Sequence, residues 1–281
     1  PTPLFIKTEL ENELIDNDVD FLYSSYVTNI LVDEKDTPCG IVITNRSGRQ
    51  AIRCKAIIDA THTASVARVA GVRFTDFKAG EYAFNFVTVG SEPQTIPGAK
   101  SEKTPYAVTV KNKQLPVVRY TFQLHVKDDS YATVQEIEQT IRDMTWTPDQ
   151  SDSSDILEYI PFVSIVSERE SRENVSNMRE VPLEALKPKG VKNVWILSPS
   201  AQVTNETAKR IMQPVFGTSL GVIVGEAAAM YARDNQLKTT AKVRTPSTKG
   251  DNKGEIKELL NPLRPDMNSG FVTSSNDVLP V

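Results

Sequence analysis

The sequence predicts a mixed α/β chain, α+β overall, in which short buried strands and helices are interrupted by an antiparallel sheet. Three observations carry that prediction. Two short apolar runs, Ile57-Ile58-Asp59-Ala60-Thr61 and Val194-Trp195-Ile196-Leu197, have the continuous character of buried strands. Between them, residues 84–89, 106–110 and 117–126 alternate apolar with polar and are separated by Pro, Gly, Lys and Asn. Period two with such breaks is the pattern of an antiparallel sheet. The third observation is the Ala- and Gly-rich segment 217–232, the strongest helical pattern in the chain.

The elements follow in order. Leu10, Leu14 and Ile15 lie at helical spacing, so 7–16 reads as a short amphipathic helix with Asn17-Asp18 as its polar stop. Residues 20–33 are rich in Phe, Tyr, Val, Thr and Ile and have strand character. A turn cluster at 34–38 precedes a strand at 40–45, a hairpin turn Arg46-Ser47-Gly48-Arg49 and its partner at 50–55. After the run ending at Thr61, Ala and Val at helical spacing over 64–71 end at a Gly stop. The antiparallel region spans 82–126, and a helix follows at 134–144. Residues 147–155 form an acidic loop, 158–166 a strand candidate and 180–189 a loop with a short turn. Beyond Asn235 apolar residues become sparse, so 236–281 reads as a polar linker or tail with a short helix near 256–260.

Composition narrows the function classes. The 281 residues are 39% hydrophobic and 24% charged, with a net charge of −4. That composition excludes collagen-like and wholly disordered chains, and the charge gives no footprint for nucleic acid. The apolar stretch 220–232 contains Glu226 and falls short of the roughly 20 residues of a membrane span, and no basic-then-apolar leader opens the chain. Two histidines and two cysteines in separate contexts argue against a zinc site, so no metal is expected. His125 reads as a strand-face residue. Cys39 and Cys54 read as two small buried thiols, unless facing strands bring them together.

The order strand, hairpin, strand ending in Asp59-Ala60-Thr61-His62 resembles the second half of the FAD-binding domain of the large flavoprotein superfamily. In that fold a β-meander leads back into a parallel sheet on a strand with a small-residue tip, which lets backbone N–H groups approach a dinucleotide. Three further segments are similar to one branch, the FAD-dependent oxidoreductase family. Ile160-Pro161-Phe162 with Ser167-Glu168-Arg169-Glu170-Ser171-Arg172 resembles its "IPR…RESRR" segment. Residues 186–195 resemble its approach to the last sheet strand. Arg210-Ile211-Met212 with Gly217, Gly221 and Gly225-Glu226-Ala227-Ala228-Ala229 resembles its final helix.

The resemblance implies FAD as cofactor, a small-molecule substrate and hydride transfer from substrate to flavin. It implies an incomplete FAD-binding, three-layer Rossmann-like domain made of 1–75 and 181–235, with an antiparallel substrate domain inserted at 76–180. The implied cofactor-binding residues are Asp59, Ala60, Thr61, His62, Ser198, Met212, Gly217 and Gly221. The implied catalytic cations are Arg169, Arg172 and Arg210, with a Glu168–Arg172 ion pair as the structural alternative. A helix dipole at the start of the last helix would favour the anionic reduced flavin.

The chain departs from the pattern in three places. It has no G-x-G-x-x-G after a strand, so the phosphate-gripping helix N-terminus is expected from a preceding segment or a second chain. Ser198-Pro199-Ser200 stands where the family has Gly-Arg, and Pro199 offers no N–H. His62 stands where a Gly is usual. Three readings therefore remain open: the back portion of an FAD-dependent oxidoreductase, a non-catalytic domain that kept the fold and lost the cofactor site, and an unrelated α/β binding module.

Overall fold

A computed structural model describes residues 3–245. Helix α1 (Pro3–Asp16) leads to a meander of β1 (Tyr26–Val32), β2 (Pro38–Asn45) and β3 (Gly48–Arg53), followed by β4 (Ile57–Asp59) and α2 (Ser65–Val69). A second region holds β5 (Gly80–Val89), β6 (Ala99–Val110), β7 (Lys113–Val126), α3 (Tyr131–Thr145), β8 (Asp152–Ser153) and β9 (Glu158–Tyr159). The chain returns through two 3-10 turns to β10 (Val194–Ile196), α4 (Asn205–Ile211), α5 (Pro214–Asp234) and β11 (Lys242–Val243).

The two apolar runs are neighbours. β10 pairs with β4 in parallel, with Val194 opposite Ile57 and Ile196 opposite Asp59. Asn193, one residue before β10, donates its side-chain amide to Pro38 O (2.6 Å) and Lys55 O (3.2 Å), which ties the root of the hairpin to the parallel pair. The meander has strand order β11-β1-β2-β3, and the antiparallel sheet runs β6-β7-β5-β8 with β9 also on β5. Period-two burial along β5, with Phe84, Phe86 and Thr88 inward, is what the sequence alternation requires.

Among the described residues two large apolar cores form, beside a small cluster of Leu31, Cys39 and Val42. The first gathers Ile30, Val32 and Ile57 with Trp195, Ile196, Phe216, Leu220 and Val224. The second gathers Phe84, Phe86, Tyr120, Phe122, Ile141 and Leu157. Helix α5 sends Phe216, Leu220, Val224 and Ala228 into the first core. At 21 residues it is longer than the sequence pattern implies, because Pro214 opens it at the position where a missing N–H is free of cost. By length and composition alone it would reach across a membrane.

Several sequence expectations shift. The strand candidate 158–166 shrinks to β9, because Pro161 supplies no N–H and interrupts the ladder. Helix α4 was not foreseen, although Thr204 caps it by accepting from Thr207 N and Glu206 sits in its first turn. The amphipathic helix at 7–16 forms as part of α1, yet Leu10, Leu14 and Ile15 are exposed. Cys39 and Cys54 do meet across β2–β3, where Cys54 N donates to Cys39 O (3.0 Å). They stay as free thiols. A register shift against β1 makes Cys39 an extra residue, and it packs with Leu31 and Val42 while Cys54 packs on the first core. The expected helix near 256–260 and most of the polar tail lie outside the described residues; within that range, Lys242 and Val243 pair with β1.

Candidate active site

The carboxyl ends of β4 and β10 lie side by side, and the turn after β4 is built by one carboxylate. Asp59 is 1% exposed. Its Oδ1 accepts from Thr61 N (3.0 Å) and Thr61 Oγ1 (2.6 Å), and its Oδ2 accepts from Ala67 N in α2 (2.8 Å). Thr61 Oγ1 in turn accepts from Ser65 N (2.7 Å). Asp59 and Thr61 thus spend their polar atoms on organising the tip, while Ala60 and Thr61 are themselves exposed. Across the pair, Ser200 Oγ donates to His62 O (3.1 Å) and Ser200 N donates to Ser198 Oγ (3.3 Å), which joins the two strand tips.

His62 is the unusual member. Its Nε2 is buried with no hydrogen-bond partner, and its ring meets Tyr159 edge-on at 4.9 Å between centroids. Burial lowers its pKa, partly opposed by a backbone hydrogen bond with Tyr159, so the neutral ring is favoured. Two other buried polar atoms without partners, Asn193 Oδ1 and Trp195 Nε1, belong to the same strand pair.

A cavity of about 430 Å³ opens beside the tip, lined by His62, Arg68, Tyr131, Glu138, Tyr159 and Phe162 among others. Its walls come from β4's turn, α2, α3 and β9. Burial raises the Tyr159 hydroxyl pKa, with Arg68 acting against that shift and Glu138 with it. Glu138 is held by Arg142 (2.7 Å). A second cleft of about 820 Å³ is more polar and includes Asp76, Tyr82, Asn85, Glu158, Lys209 and Met212.

The site residues expected from the sequence scatter over these features. His62 lines the first cavity and Met212 the second. Ser198 is buried at the β10 tip. Gly217 lets α5 approach α4, since a Cβ there would lie 2.8 Å from Ile211 O, and a Cβ at Gly221 would touch Leu197 at 3.5 Å. Arg169 and Arg172 line a separate surface cavity of about 460 Å³. Arg210 is exposed near the end of α4. The Glu168–Arg172 pair does not form: that segment is not helical, Arg172 pairs with Glu170 (2.9 Å), and Glu168 accepts from Gly190 N (2.9 Å). Sequence reading missed Arg68, Tyr131 and Glu138, whose only signal was their helical setting.

Residues 2–82 match the family model described as FAD dependent oxidoreductase. That segment carries the meander, β4 and its turn. The family's cofactor is FAD. No curated protein matches the chain in sequence. Among solved structures, the chain is similar to CabE, an aromatic hydroxylase from angucycline biosynthesis, at 14% identity and TM-score 0.41, covering 80% of this chain and 45% of that one. It is similar to the flavin-dependent brominase Bmp2 (triple mutant) at 11% and 0.47, covering 83% and 57%. It is similar to p-nitrophenol 4-monooxygenase PnpA from Pseudomonas putida DLL-E4 at 13% and 0.41, covering 81% and 55%. The chain thus spans about half the length of these relatives. At these values the likeness says nothing of its chemistry.

At the strand tips Asp59 and Thr61 spend their side-chain polar atoms on the turn itself. What remains unspent there is the orphaned His62 Nε2, together with the first backbone N–H groups of α5, a 21-residue helix without a side-chain cap.

Proposed function

We propose that this chain is the back portion of an FAD-dependent oxidoreductase that takes hydride from a small organic substrate to the flavin. The observation that carries the reading is the parallel β4–β10 pair with its tips joined through Ser200 and His62. FAD, when bound, supplies the two-electron acceptor. This chain's residues shape its setting. Asp59 fixes the turn, His62 offers a neutral ring nitrogen, Gly217 lets α5 close on α4, and Gly221 lets α5 lie against Leu197 beside the β10 tip. Ser198 and Met212 flank that ground, with Ala60 and Thr61 on its open side. The cavity lined by Tyr131, Tyr159 and Phe162 offers an apolar wall to part of the substrate. Arg169 and Arg172, from the separate surface cavity they line, and Arg210, from the end of α4, remain the cations proposed for substrate or flavin oxygens.

In this reading 1–75 and 181–235 form the FAD-binding part, 76–180 the inserted substrate domain and 236–281 a polar tail. A preceding segment or a second chain completes the sheet along β4. Ile58 is 41% exposed there, and Val215 and Val222 of α5 are exposed as well. In this reading the partner is a small-molecule substrate, with no role assigned to nucleic acid or a membrane.

A second reading, a non-catalytic domain that kept the fold, draws on Pro199, which offers no N–H, and on the Asp59 and Thr61 atoms already engaged. One titration separates the two. FAD is added to the purified 281-residue chain, alone and with a complementing strand–turn–helix segment, and absorbance near ~450 nm is followed after gel filtration. Retained flavin supports the first reading. Its loss in both arms supports the second.

A further inference from the structure

Helix α2 is short and poorly supported by its own sequence. It has five residues, and its N-cap Ala64 sits in the left-handed region (φ 50°) and offers no side-chain cap of its own, so its first-turn amides turn to Thr61 and Asp59. A helix of this length does not hold itself together, and a non-glycine residue at such φ works against it. Yet α2 provides Ser65 N and Ala67 N, two of the amides that set the turn after β4. Its stability must come from outside.

The C-terminal end of the described chain supplies the tie. β11 adds to the meander with Leu31 opposite Val243 and Val32 opposite Lys242. One residue on, Arg244 N donates to Ile30 O (2.9 Å). The Arg244 guanidinium then crosses to α2, where Nη1 donates to Val69 O (3.3 Å). Nη2 pairs with Asp36 Oδ2 (3.5 Å). A cation at a helix C-terminus meets the negative end of its dipole and an unsatisfied carbonyl. Gly71 makes the room: a Cβ there would overlap the guanidinium. Upstream, Lys238 pairs with Asp33 (3.4 Å), and Arg53 donates to Lys238 O (3.3 Å). The strap therefore runs from the meander edge to the helix behind the strand tip.

We infer that Arg244 is a positioning residue for the candidate FAD site, holding α2 so that Ala67 and Ser65 keep the Asp59–Thr61 turn in place. The inference rests on the reading of the strand tips as the cofactor site, but its first test does not. Hydrogen exchange is measured on the full 281-residue chain, as wild type, R244A and R244K. In R244A the amides of Ser65 and Ala67 exchange about tenfold faster, while those of Ile57 and Leu197, within the β4–β10 pair, keep wild-type protection. R244K, with a cation still in reach of Val69 O, recovers part of the loss. In the FAD titration the dissociation constant rises about fivefold for R244A and less for R244K.

Unchanged exchange over 61–70 would overturn the inference, because Arg244 would then anchor only its own strand. So would loss of protection throughout, Leu197 included, since that marks a general stability element. Wild type that takes up no FAD sinks the cofactor reading alone and leaves the exchange result to decide the role of Arg244.

Discussion

Replacing Asp59 with alanine tests the architecture of the strand tip most directly. The carboxylate is 1% exposed and accepts two backbone amides and one hydroxyl at 2.6–3.0 Å. Hydrogen bonds to a charged group contribute about 1.5–3 kcal/mol each, and an orphaned buried donor costs about 1–3 kcal/mol. Thr61 Oγ1 is exposed enough to turn to water, so it is left out of the sum. The two amides, Thr61 N and Ala67 N, then set the loss at about 3–6 kcal/mol. The Asp59→Asn variant keeps the acceptor for Thr61 and turns an NH2 towards Ala67 N, so it loses about half as much. Urea unfolding followed by Trp fluorescence and far-ultraviolet dichroism gives both values from the midpoint at constant slope. An Asp59→Ala variant within about 1 kcal/mol of wild type would refute the account, because the turn would then be held by something other than its carboxylate.

Three further outcomes follow from the structure. Gly217→Ala should destabilise by about 1 kcal/mol, as its Cβ meets Ile211 O at 2.8 Å, whereas Gly225→Ala, with open space around its Cβ, should gain about 0.5–1 kcal/mol of helix propensity; urea midpoints moving in the same direction would contradict this. Burial, and then the neighbouring Cys39, push the Cys54 thiol up to about 11, so its alkylation by iodoacetamide at pH 8 should run roughly 200-fold slower than that of a free cysteine, measured by intact mass against time. Asp128 is held down to about 2, first by the Ser130 hydroxyl and then by that of Thr133. A depressed carboxylate stabilises above its unfolded pKa and loses that contribution as pH falls through the folded one, so protection of the first turn of α3 should decline between about pH 4 and pH 2. In Asp128→Asn that decline should vanish, as read from amide exchange.

Much of the fold was legible because its signals are local. The hairpin around Ser47-Gly48, the alternation of β5 and β7, and the apolar runs at β4 and β10 each follow from residues a few positions apart. The candidate site was legible only in part. Asp59-Ala60-Thr61-His62 was picked out by its setting at a strand end, but its division of labour was not: Asp59 looks inward to Ala67, and His62 keeps the unpaired nitrogen. Arg68 and Tyr131 escaped notice because a lone Arg or Tyr on a helix carries no pattern.

The chain itself determined which segments become strands and helices, since periodicity, turn residues and caps act over a few residues. That Val194 lies beside Ile57, far away in sequence, follows from no local pattern; the family resemblance implies it and the folded molecule bears it out. Only the folded molecule decided that a one-residue bulge separates the packing of Cys39 from that of Cys54, and that Arg244 reaches Val69. Such pairings depend on how whole surfaces exclude water together, a property of the assembled core that no local stretch contains.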